Sequence, residues 1–449
     1  MELSCIFYVK YGIIDVNMIN YNNKEKRDFM RFNRRRRYTY YSSYSNSRRS
    51  RVRWDRVGLI VGAVVLVLGI AVWLNFSRIQ LLFKGYSFSQ QNTILALENK
   101  AVDEVLTHDK MEHIKEWISG SESYQLYDDY EKYLSLHKDL KVEDVVTTVN
   151  DIMTNYKPKL DALTYNEDQL WNILKVANIK DLQYIIDHQY TYGQIQPYMN
   201  IQGFAIQDVD KYIELYNEKK NYNYAVLATA YPFIISKNDN GASYTIQNSE
   251  NVMTLVKKGF QYPSSYVPDD LVTPASIPVS PDCENPQLRQ EAAEALTQMY
   301  NDAKQEGYTL IINSAYRSYK EQEAVYKEIH DRYDEVTASS LVAIPGASEH
   351  QSGLGVDLTS QSVLDDKRNG ISSRFGDKPE YKWCIANSYK YGFILRFEED
   401  KADITGIGNE PWHFRYVGKE VAKEIFQNGW TLEEYCLYKG AIPKIKENK

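Results

Sequence analysis

Cysteine is scarce in this sequence, with 4 residues among 449. Proteins built around disulfides are far richer in cysteine, so a disulfide scaffold is excluded. Cys283, Cys384 and Cys436 follow the one long hydrophobic run, and because three is odd, at least one thiol stays outside any intrachain disulfide. No Cys-x-x-Cys pair occurs, so the sequence gives no support for a metal site made of thiolates.

Histidine is also scarce, with 7 residues, yet two of them lie in short segments that also contain acids and glycine or proline. Residues 348–357 read Ser-Glu-His-Gln-Ser-Gly-Leu-Gly-Val-Asp, and residues 410–413 read Glu-Pro-Trp-His. Two histidines and one aspartate are a sufficient ligand set for a catalytic zinc, which keeps its fourth position open for water. A lone histidine is more often an ordinary core or surface residue, but this combination favours a metal site.

The local sequence suits such a site. Residues 356–358 predict a short strand on which Asp357 faces opposite to its two apolar neighbours. Pro411 favours an extended conformation at Glu410 and stiffens the segment that presents Glu410 and His413. Because Glu410 is not needed as a ligand, it is free to act as a base. The alternative is that Asp357 is only a turn residue.

The two segments resemble the zinc D-alanyl-D-alanine carboxypeptidases of the VanY type and their L,D-carboxypeptidase relatives. The shared pattern is Ser-x-His-x-x-Gly-x-x-x-Asp followed by Glu-Pro-Trp-His. Residues 266–271, 314–322 and 391–396 extend the resemblance in the same order along the chain. It covers the carboxy-terminal part only and implies nothing about the residues before 249.

The resemblance implies a zinc ion and roles for individual residues. It implies that the ion is bound by His350, Asp357 and His413 and that Glu410 is the catalytic base. The positions that match residues holding the terminal D-alanine and its carboxylate are Arg317, Gln322 and Ser348, and Trp412 matches a residue lining the pocket. The chain departs from the family at Gly355, where alanine is frequent, which is a mild change between small residues.

The chemistry of one residue supports a carboxypeptidase independently. Arg317 follows an apolar run, residues 308–312, that predicts a strand, and its planar guanidinium suits a free carboxylate. Taken alone, Arg317 is more simply explained by a surface salt bridge. An intact carboxylate clamp nevertheless argues against an endopeptidase, which cuts inside the stem peptide.

Peptidoglycan stem peptides are the substrate that the resemblance implies. We favour D,D-carboxypeptidase activity, which removes the terminal D-alanine of a pentapeptide; the alternatives are L,D-carboxypeptidase activity on tetrapeptides, a peptidoglycan endopeptidase and a catalytically inactive wall-binding protein. The motifs do not separate D,D from L,D cleavage. The pocket for the residue before the cut decides between them, and we expect residues 337–347 and 365–377 to shape it.

Residues 57–74 carry no charge and predict a single transmembrane helix. Residues 1–56 contain 14 Lys and Arg against 5 acids, a net charge of +9, which leaves −16 for the rest of a chain whose total is −7. The positive-inside rule then places a disordered, basic amino-terminal tail in the cytoplasm and the catalytic domain outside the cell membrane. Contact with anionic lipid explains the basic tail more simply than binding to nucleic acid does. Met30 is an alternative start of translation.

A cleaved signal peptide and a buried core helix are the other interpretations of residues 57–74. A signal peptide would begin the chain and would need a small-residue cleavage site, which residues 75–78 do not offer. The flanking basic residues argue against a core helix. The acidic remainder gives no reason to expect nucleic acid as a partner, and the sequence does not predict an oligomeric state.

The remaining chain predicts two regions. Residues 78–248 predict a mainly helical extracellular region, with two repeats suggested by residues 132–136 against 211–215 and residues 82–86 against 174–178. Residues 249–440 predict the zinc carboxypeptidase domain, an α+β fold with a small antiparallel sheet and flanking helices. Within it, helices are expected at 287–306, 319–332, 382–391 and 417–428, and strands at 308–313 and 393–397.

Overall fold

The structure is a computed structural model that describes residues 53–121, 123–236, 241–368 and 374–448. Nearly all of the predicted basic tail, residues 1–56, lies outside the described residues, together with Met30 and Cys5. The chain divides into two compact units, Met1–Leu74 and Asn75–Lys449, and each is described by itself.

The described part of the first unit contains helix α1, Trp54–Leu74, which has 21 residues and buries none of them. It includes the whole predicted run at 57–74. At a rise of 1.5 Å per residue the helix is about 31 Å long, close to the roughly 30 Å hydrocarbon core of a bilayer. By length and composition it is the one helix among the described residues that could cross a membrane.

The second unit begins with a run of helices, and no strand occurs among its described residues before Tyr244. The helices are α2 Phe76–Phe83, α3 Phe88–Ile94, α4 Asn99–Thr107, α5 Ile114–Gly120, α6 Tyr127–Leu136, α7 Val142–Asp151, α8 Lys157–Ala162, α9 Glu167–Ile173, α10 Ile179–Asp187, α11 Tyr192–Ile195, α12 Val209–Lys219 and α13 Tyr222–Ala230. Their apolar faces enclose one core that is rich in tyrosine.

Features of this helical run recur at an interval of 79 residues. Helices α3 and α9 begin and end 79 residues apart, and each is preceded by a capping box, at Ser87 and at Asn166. The hydroxyl of Tyr86 accepts a hydrogen bond from the Met111 amide, and the hydroxyl of Tyr165 donates one to the Tyr190 carbonyl, each across 25 residues. A duplication would give this recurrence, and the two repeats stay a prediction.

The interval agrees with one of the two sequence matches that suggested the repeats. Residues 132–136 and 211–215 are 79 residues apart, and their tyrosines, Tyr133 and Tyr212, are both buried. The equivalent of Leu174, which follows α9, is Leu95, which follows α3, so residues 82–86 do not correspond to residues 174–178.

The rest of the second unit mixes helices and short strands. Its elements are β1 Tyr244–Ile246, β2 Phe260–Gln261, β3 Leu271–Val272, β4 Leu288–Arg289, α14 Gln290–Gln305, β5 Leu310–Ser314, α15 Tyr319–Arg332, α16 Glu335–Leu341, β6 Gly355–Ser360, α17 Gln361–Arg368, α18 Pro379–Asn387, β7 Phe393–Phe397, α19 Ala402–Thr405, β8 Glu410–Tyr416, α20 Lys419–Asn428, α21 Leu432–Lys439 and β9 Ile445–Glu447. The expected helices and strands of this part are confirmed, with ends shifted by a few residues.

The central sheet has four strands in the order β5-β6-β8-β7, and every neighbouring pair is antiparallel. All six residues of β6 are buried, as are five of the seven in β8. In the register of these two middle strands, Asp357 lies opposite His413. The predicted antiparallel sheet is therefore present, and it brings two of the candidate ligands together.

The predicted boundary between residues 248 and 249 runs through a packed region. One core cluster contains Leu227 and Ile234 from before the boundary and Phe260 and Leu437 from after it. Strand β1, before the boundary, also pairs with β2 and β9, after it. The division into a helical region and a catalytic domain stays a prediction.

The three cysteines of this unit are free thiols. Cys384 and Cys436 are fully buried in different core clusters, and Cys283 is partly exposed. Burial raises the pKa of the Cys436 thiol to about 12, so the thiol stays protonated and unreactive at neutral pH. Disulfides thus play no part in the described fold.

Candidate metal centre and active site

The three candidate ligands come from neighbouring elements of the central sheet. His350 lies in a single 3-10 turn, Glu349–Ser352, that ends at Gly353 with a left-handed φ of 66°. Asp357 follows on β6, and His413 lies opposite it on β8. All three side chains are buried, and one ligand atom from each lies within 4.8 Å of the others. The structure therefore assembles the ligand set that the sequence predicts.

The carboxylate of Asp357 faces both imidazoles. Its Oδ1 lies 2.9 Å from Nδ1 of His413, and its Oδ2 lies 3.5 Å from Nε2 of His350. The two imidazole rings are nearly perpendicular, with an interplanar angle of 87° and centroids 4.9 Å apart. Two imidazole nitrogens and one carboxylate converge in this way in catalytic zinc sites.

The outer nitrogen of each imidazole has a partner that fixes its tautomer. The Nδ1–H of His350 donates to the carbonyl of Ala315 at 2.6 Å, because a carbonyl can only accept. Nε2 of His413 lies 3.3 Å from Oε2 of Glu349. His350 consequently presents Nε2 to the centre and His413 presents Nδ1, which is the arrangement that histidine ligands require.

The electrostatics of the site favour a cation. Burial lowers the pKa of His350 to about 3, which keeps this imidazole neutral and able to bind a metal. Burial would raise the pKa of Asp357, but the neighbouring His350, His413 and Arg317 outweigh it and lower that pKa. Burial also acts against charge on His413, yet its hydrogen bonds to two carboxylates raise its pKa to about 10, so the surroundings of this imidazole favour a positive charge, whether a proton or a metal ion. The residues present fit a divalent metal ion.

Glu410 lies beside the ligands without belonging to them. It begins β8, and its Oε2 is 3.9 Å from Nδ1 of His413. Burial raises its pKa to about 7, although the nearby His413 acts in the opposite direction. A carboxyl group with a pKa near neutrality can both accept and donate a proton at physiological pH. This is the behaviour expected of the predicted base.

The predicted substrate residues line the same cavity, whose volume is about 700 Å³. Arg317 lies just beyond the end of β5, where its guanidinium donates to Oε1 of Gln322 at 2.9 Å and to Oγ of Ser314 at 3.1 Å. Gln322 in turn donates to the carbonyl of Ala343 at 2.7 Å. The cavity is also lined by Ser348, Trp412 and the metal-centre residues.

The pocket for the residue before the cut is only partly as expected. Between 337 and 347, the cavity is lined by Ser339, Leu341, Val342, Ala343, Ile344 and Ala347, so the first expected segment lies at the cavity, and its role in the pocket for the residue before the cut stays a prediction. No described residue between 365 and 377 lines it, because α17 continues from the end of β6 beyond Asp357 and carries the chain away. Residues 369–373 of that segment lie outside the described residues.

Sequence reasoning missed a group of buried charged residues behind the metal centre. Its members are Lys257, Glu349, Arg396, Arg415 and Glu433. Glu349 stands inside the recognised motif, next to His350, and that position was the one available signal. Arg396 ends segment 391–396, which extends the resemblance, and Lys257, Arg415 and Glu433 occur in segments that contain no motif.

Gly355, the position where the chain departs from the family, lies against the metal centre. A Cβ atom there would come within 3.2 Å of two ring atoms of His413, tighter than most contacts of a Cβ atom. Glycine therefore leaves room for this imidazole.

An antiparallel sheet that presents a buried His-Asp-His centre beside a glutamate is an arrangement suited to a metal-dependent hydrolase, and sequence comparison specifies the family. The family of D-alanyl-D-alanine carboxypeptidases called VanY matches residues 285–419. The chain is 44% identical over 194 residues to the protein YodJ of Bacillus subtilis (strain 168). This match covers 42% of this chain and 69% of YodJ. The chain belongs to the VanY family of D-alanyl-D-alanine carboxypeptidases.

Two solved structures are also similar in sequence. The L,D-carboxypeptidase LdcB is 43% identical, and the match covers 45% of this chain and 93% of LdcB with a TM-score of 0.40. The vancomycin-resistance D,D-pentapeptidase VanY in complex with Zn(II) is 33% identical, and the match covers 41% of this chain and 98% of that structure with a TM-score of 0.34.

Proposed function

We propose that this protein is a membrane-anchored zinc carboxypeptidase that removes the terminal D-alanine from peptidoglycan stem peptides outside the cell. The observation that carries the proposal is the cavity itself. It combines a buried His-Asp-His centre, a separate glutamate with a raised pKa and an arginine suited to a carboxylate. Membership of the VanY family supports the D,D specificity.

Each residue of the cavity has one task in this proposal. Arg317 binds the free carboxylate of the substrate, and its hydrogen bonds to Gln322 and Ser314 hold the guanidinium in place before the substrate arrives. His350, Asp357 and His413 hold the zinc ion. Bound zinc polarises a carbonyl and lowers the pKa of a bound water to about 7.

Glu410 moves the proton. Glu410 accepts a proton from the water that attacks the peptide carbonyl carbon and donates it to the nitrogen of the departing D-alanine. The C–O bond to the water oxygen forms, and the peptide C–N bond breaks. A pKa of about 7 suits both halves of this transfer. Its partial burial keeps bulk water from competing for the proton.

The properties of α1 and the residues after it support the membrane anchor. The helix has no buried residue, and large apolar side chains point outward over its whole length. Phe76, Leu82, Phe83 and Phe88 follow it and are all more than half exposed. Trp54 and Trp73 lie near the two ends of α1 and are exposed, and tryptophan is enriched at the two surfaces of a bilayer. The basic tail before the helix supports a cytoplasmic amino terminus.

The proposal is tested on the full chain, purified with zinc in detergent or nanodiscs. The protein is incubated with defined stem tetrapeptides and pentapeptides, and the masses of the products are measured by mass spectrometry. We expect loss of one alanine from the pentapeptide. Preferential trimming of the tetrapeptide would show L,D-carboxypeptidase activity, and an internal cut would show an endopeptidase. Absence of any product would indicate a wall-binding protein.

A further inference from the structure

The side chain of Glu349 contacts one metal ligand and two arginines. Its Oε2 lies 3.3 Å from Nε2 of His413. Its Oε1 accepts a hydrogen bond from Nε of Arg396 at 2.9 Å and lies 2.9 Å from Nη1 of Arg415. The side chain of Glu349 is only 3% exposed, so water does not compete for either oxygen.

The two arginines are themselves fixed. Arg396 donates through both terminal nitrogens to the carboxylate of Glu433, at 3.0 and 2.7 Å. Arg415 donates to the carbonyls of Val252 and Thr254 at 3.0 and 2.9 Å. Because each guanidinium has partners on a second side, neither can rotate away, and the carboxylate of Glu349 has one available position.

A second carboxylate and a lysine extend the buried group. Nζ of Lys257 lies 3.6 Å from Oε1 of Glu433 and donates to the carbonyls of Ile234 and Ile404, at 2.8 and 3.0 Å. The group thus contains two carboxylates against two guanidiniums and an ammonium. Glu349 lies 2.9 Å from each of the two guanidiniums, which stay protonated in proteins, and their positive charge favours the ionised form of its carboxylate.

We propose that Glu349 is a positioning residue that makes His413 present its Nδ1 to the metal. A neutral imidazole carries one N–H, and an ionised carboxylate can only accept. Asp357 faces Nδ1 as Glu349 faces Nε2. A metal ion held between Asp357 and His350 would take the lone pair of Nδ1, and the one N–H of the neutral imidazole would then lie on Nε2 and donate to Glu349. A carboxylate on the outer nitrogen also makes the imidazole a more basic ligand. This inference rests on the proposed zinc centre.

The test compares two variants of the full chain, Glu349→Gln and Glu433→Gln. Each removes one carboxylate from Arg396, but Glu433 touches neither His413 nor the cavity. We expect Glu349→Gln to weaken zinc binding by about 10- to 100-fold, the usual effect of losing a residue that orients a metal ligand. We expect Glu433→Gln to bind zinc as the unaltered protein does, even where its thermal stability falls.

Zinc affinity is measured by competition with a chromophoric chelator, and Co²⁺ substituted for zinc reports ligand geometry through its visible spectrum. We expect the Co²⁺ spectrum of Glu349→Gln to change and that of Glu433→Gln to match the unaltered protein. Equal zinc affinities in all three proteins would overturn the inference. Equal weakening in both variants would also overturn it, because the effect would then be one of general stability.

A further variant keeps the test decisive if Glu349→Gln does not fold. Glu349→Asp retains the charge but withdraws the oxygens from His413, so we expect intermediate zinc affinity; affinity equal to that of the unaltered protein would refute a positional role. Failure of the unaltered protein to bind zinc would instead count against the proposed function, which separates the two ideas.

Discussion

Replacing Glu410 by glutamine separates the base from the ligands. Glutamine has nearly the same shape, so the packing at the start of β8 should survive. It cannot accept the proton of the attacking water at neutral pH. Positioned acid–base groups contribute about 10²- to 10⁴-fold to rate, so we expect kcat to fall by that factor, or by roughly 3–5 kcal/mol in the barrier.

The zinc content of Glu410→Gln should stay unchanged, because its carboxylate is not among the three converging ligands. KM should change little, since the carboxylate clamp is untouched. The assay pairs release of D-alanine from a stem pentapeptide with metal analysis of the same protein sample. His413→Ala is the contrasting variant and should lose both zinc and activity.

Glu398→Gln is the matched control. Glu398 lies next to Phe397, the residue opposite Glu410 in the sheet, but it does not line the cavity. Its activity should therefore persist. Loss of zinc from Glu410→Gln as readily as from His413→Ala would show that the ligand assignment is wrong. Full turnover by Glu410→Gln would refute its role as the base.

Three further perturbations follow from the contacts described above. Arg317→Ala should lower kcat/KM by about 10- to 100-fold, mainly through KM, because a hydrogen bond to a charged group contributes roughly 1.5–3 kcal/mol; zinc content measured on the same sample should not change. Burial lowers the pKa of Lys257 to about 8 from an ordinary 10.5. Between these values the unfolded chain binds a proton that the folded chain does not, so Lys257 makes stability rise with pH; urea unfolding at pH 8 and pH 10 should show this rise relative to Lys257→Met. The fragment 249–449 lacks β1, which pairs with β2, and Phe233, whose ring lies 4.8 Å from that of Phe260, so its midpoint of thermal unfolding should lie below that of the full chain.

The metal centre could be predicted from sequence because its residues are close together in two short segments. His350 and Asp357 are separated only by the rest of one 3-10 turn and the start of β6. Glu410 and His413 lie close together on one strand, β8. The spacing of the motifs was therefore enough to predict which residues form the metal centre. Strand β8 could not be predicted, because a proline and a charged residue, Pro411 and Arg415, are unusual in a buried strand.

The buried charges behind the centre could not be predicted for a different reason. Arg396 and Glu433 are 37 residues apart, and although Arg396 ends a segment that extends the resemblance, no local pattern indicates that it pairs with Glu433 in the core. The short strands β1 and β2 were missed because a strand of two or three residues is too short to show the alternation of apolar and polar side chains. Strand β1 pairs with β2 and with β9, and because β9 lies far along the sequence, no local pattern specifies this sheet.

The central claim is that a zinc ion at His350, Asp357 and His413 is required for removal of a terminal D-alanine. The most direct measurement follows alanine release from a stem pentapeptide by the full chain before chelation, after chelation and after zinc is restored, with metal content determined at each stage. We expect about one zinc per chain, loss of activity when the metal is removed and recovery when it is restored. A metal-free preparation with full activity would contradict it.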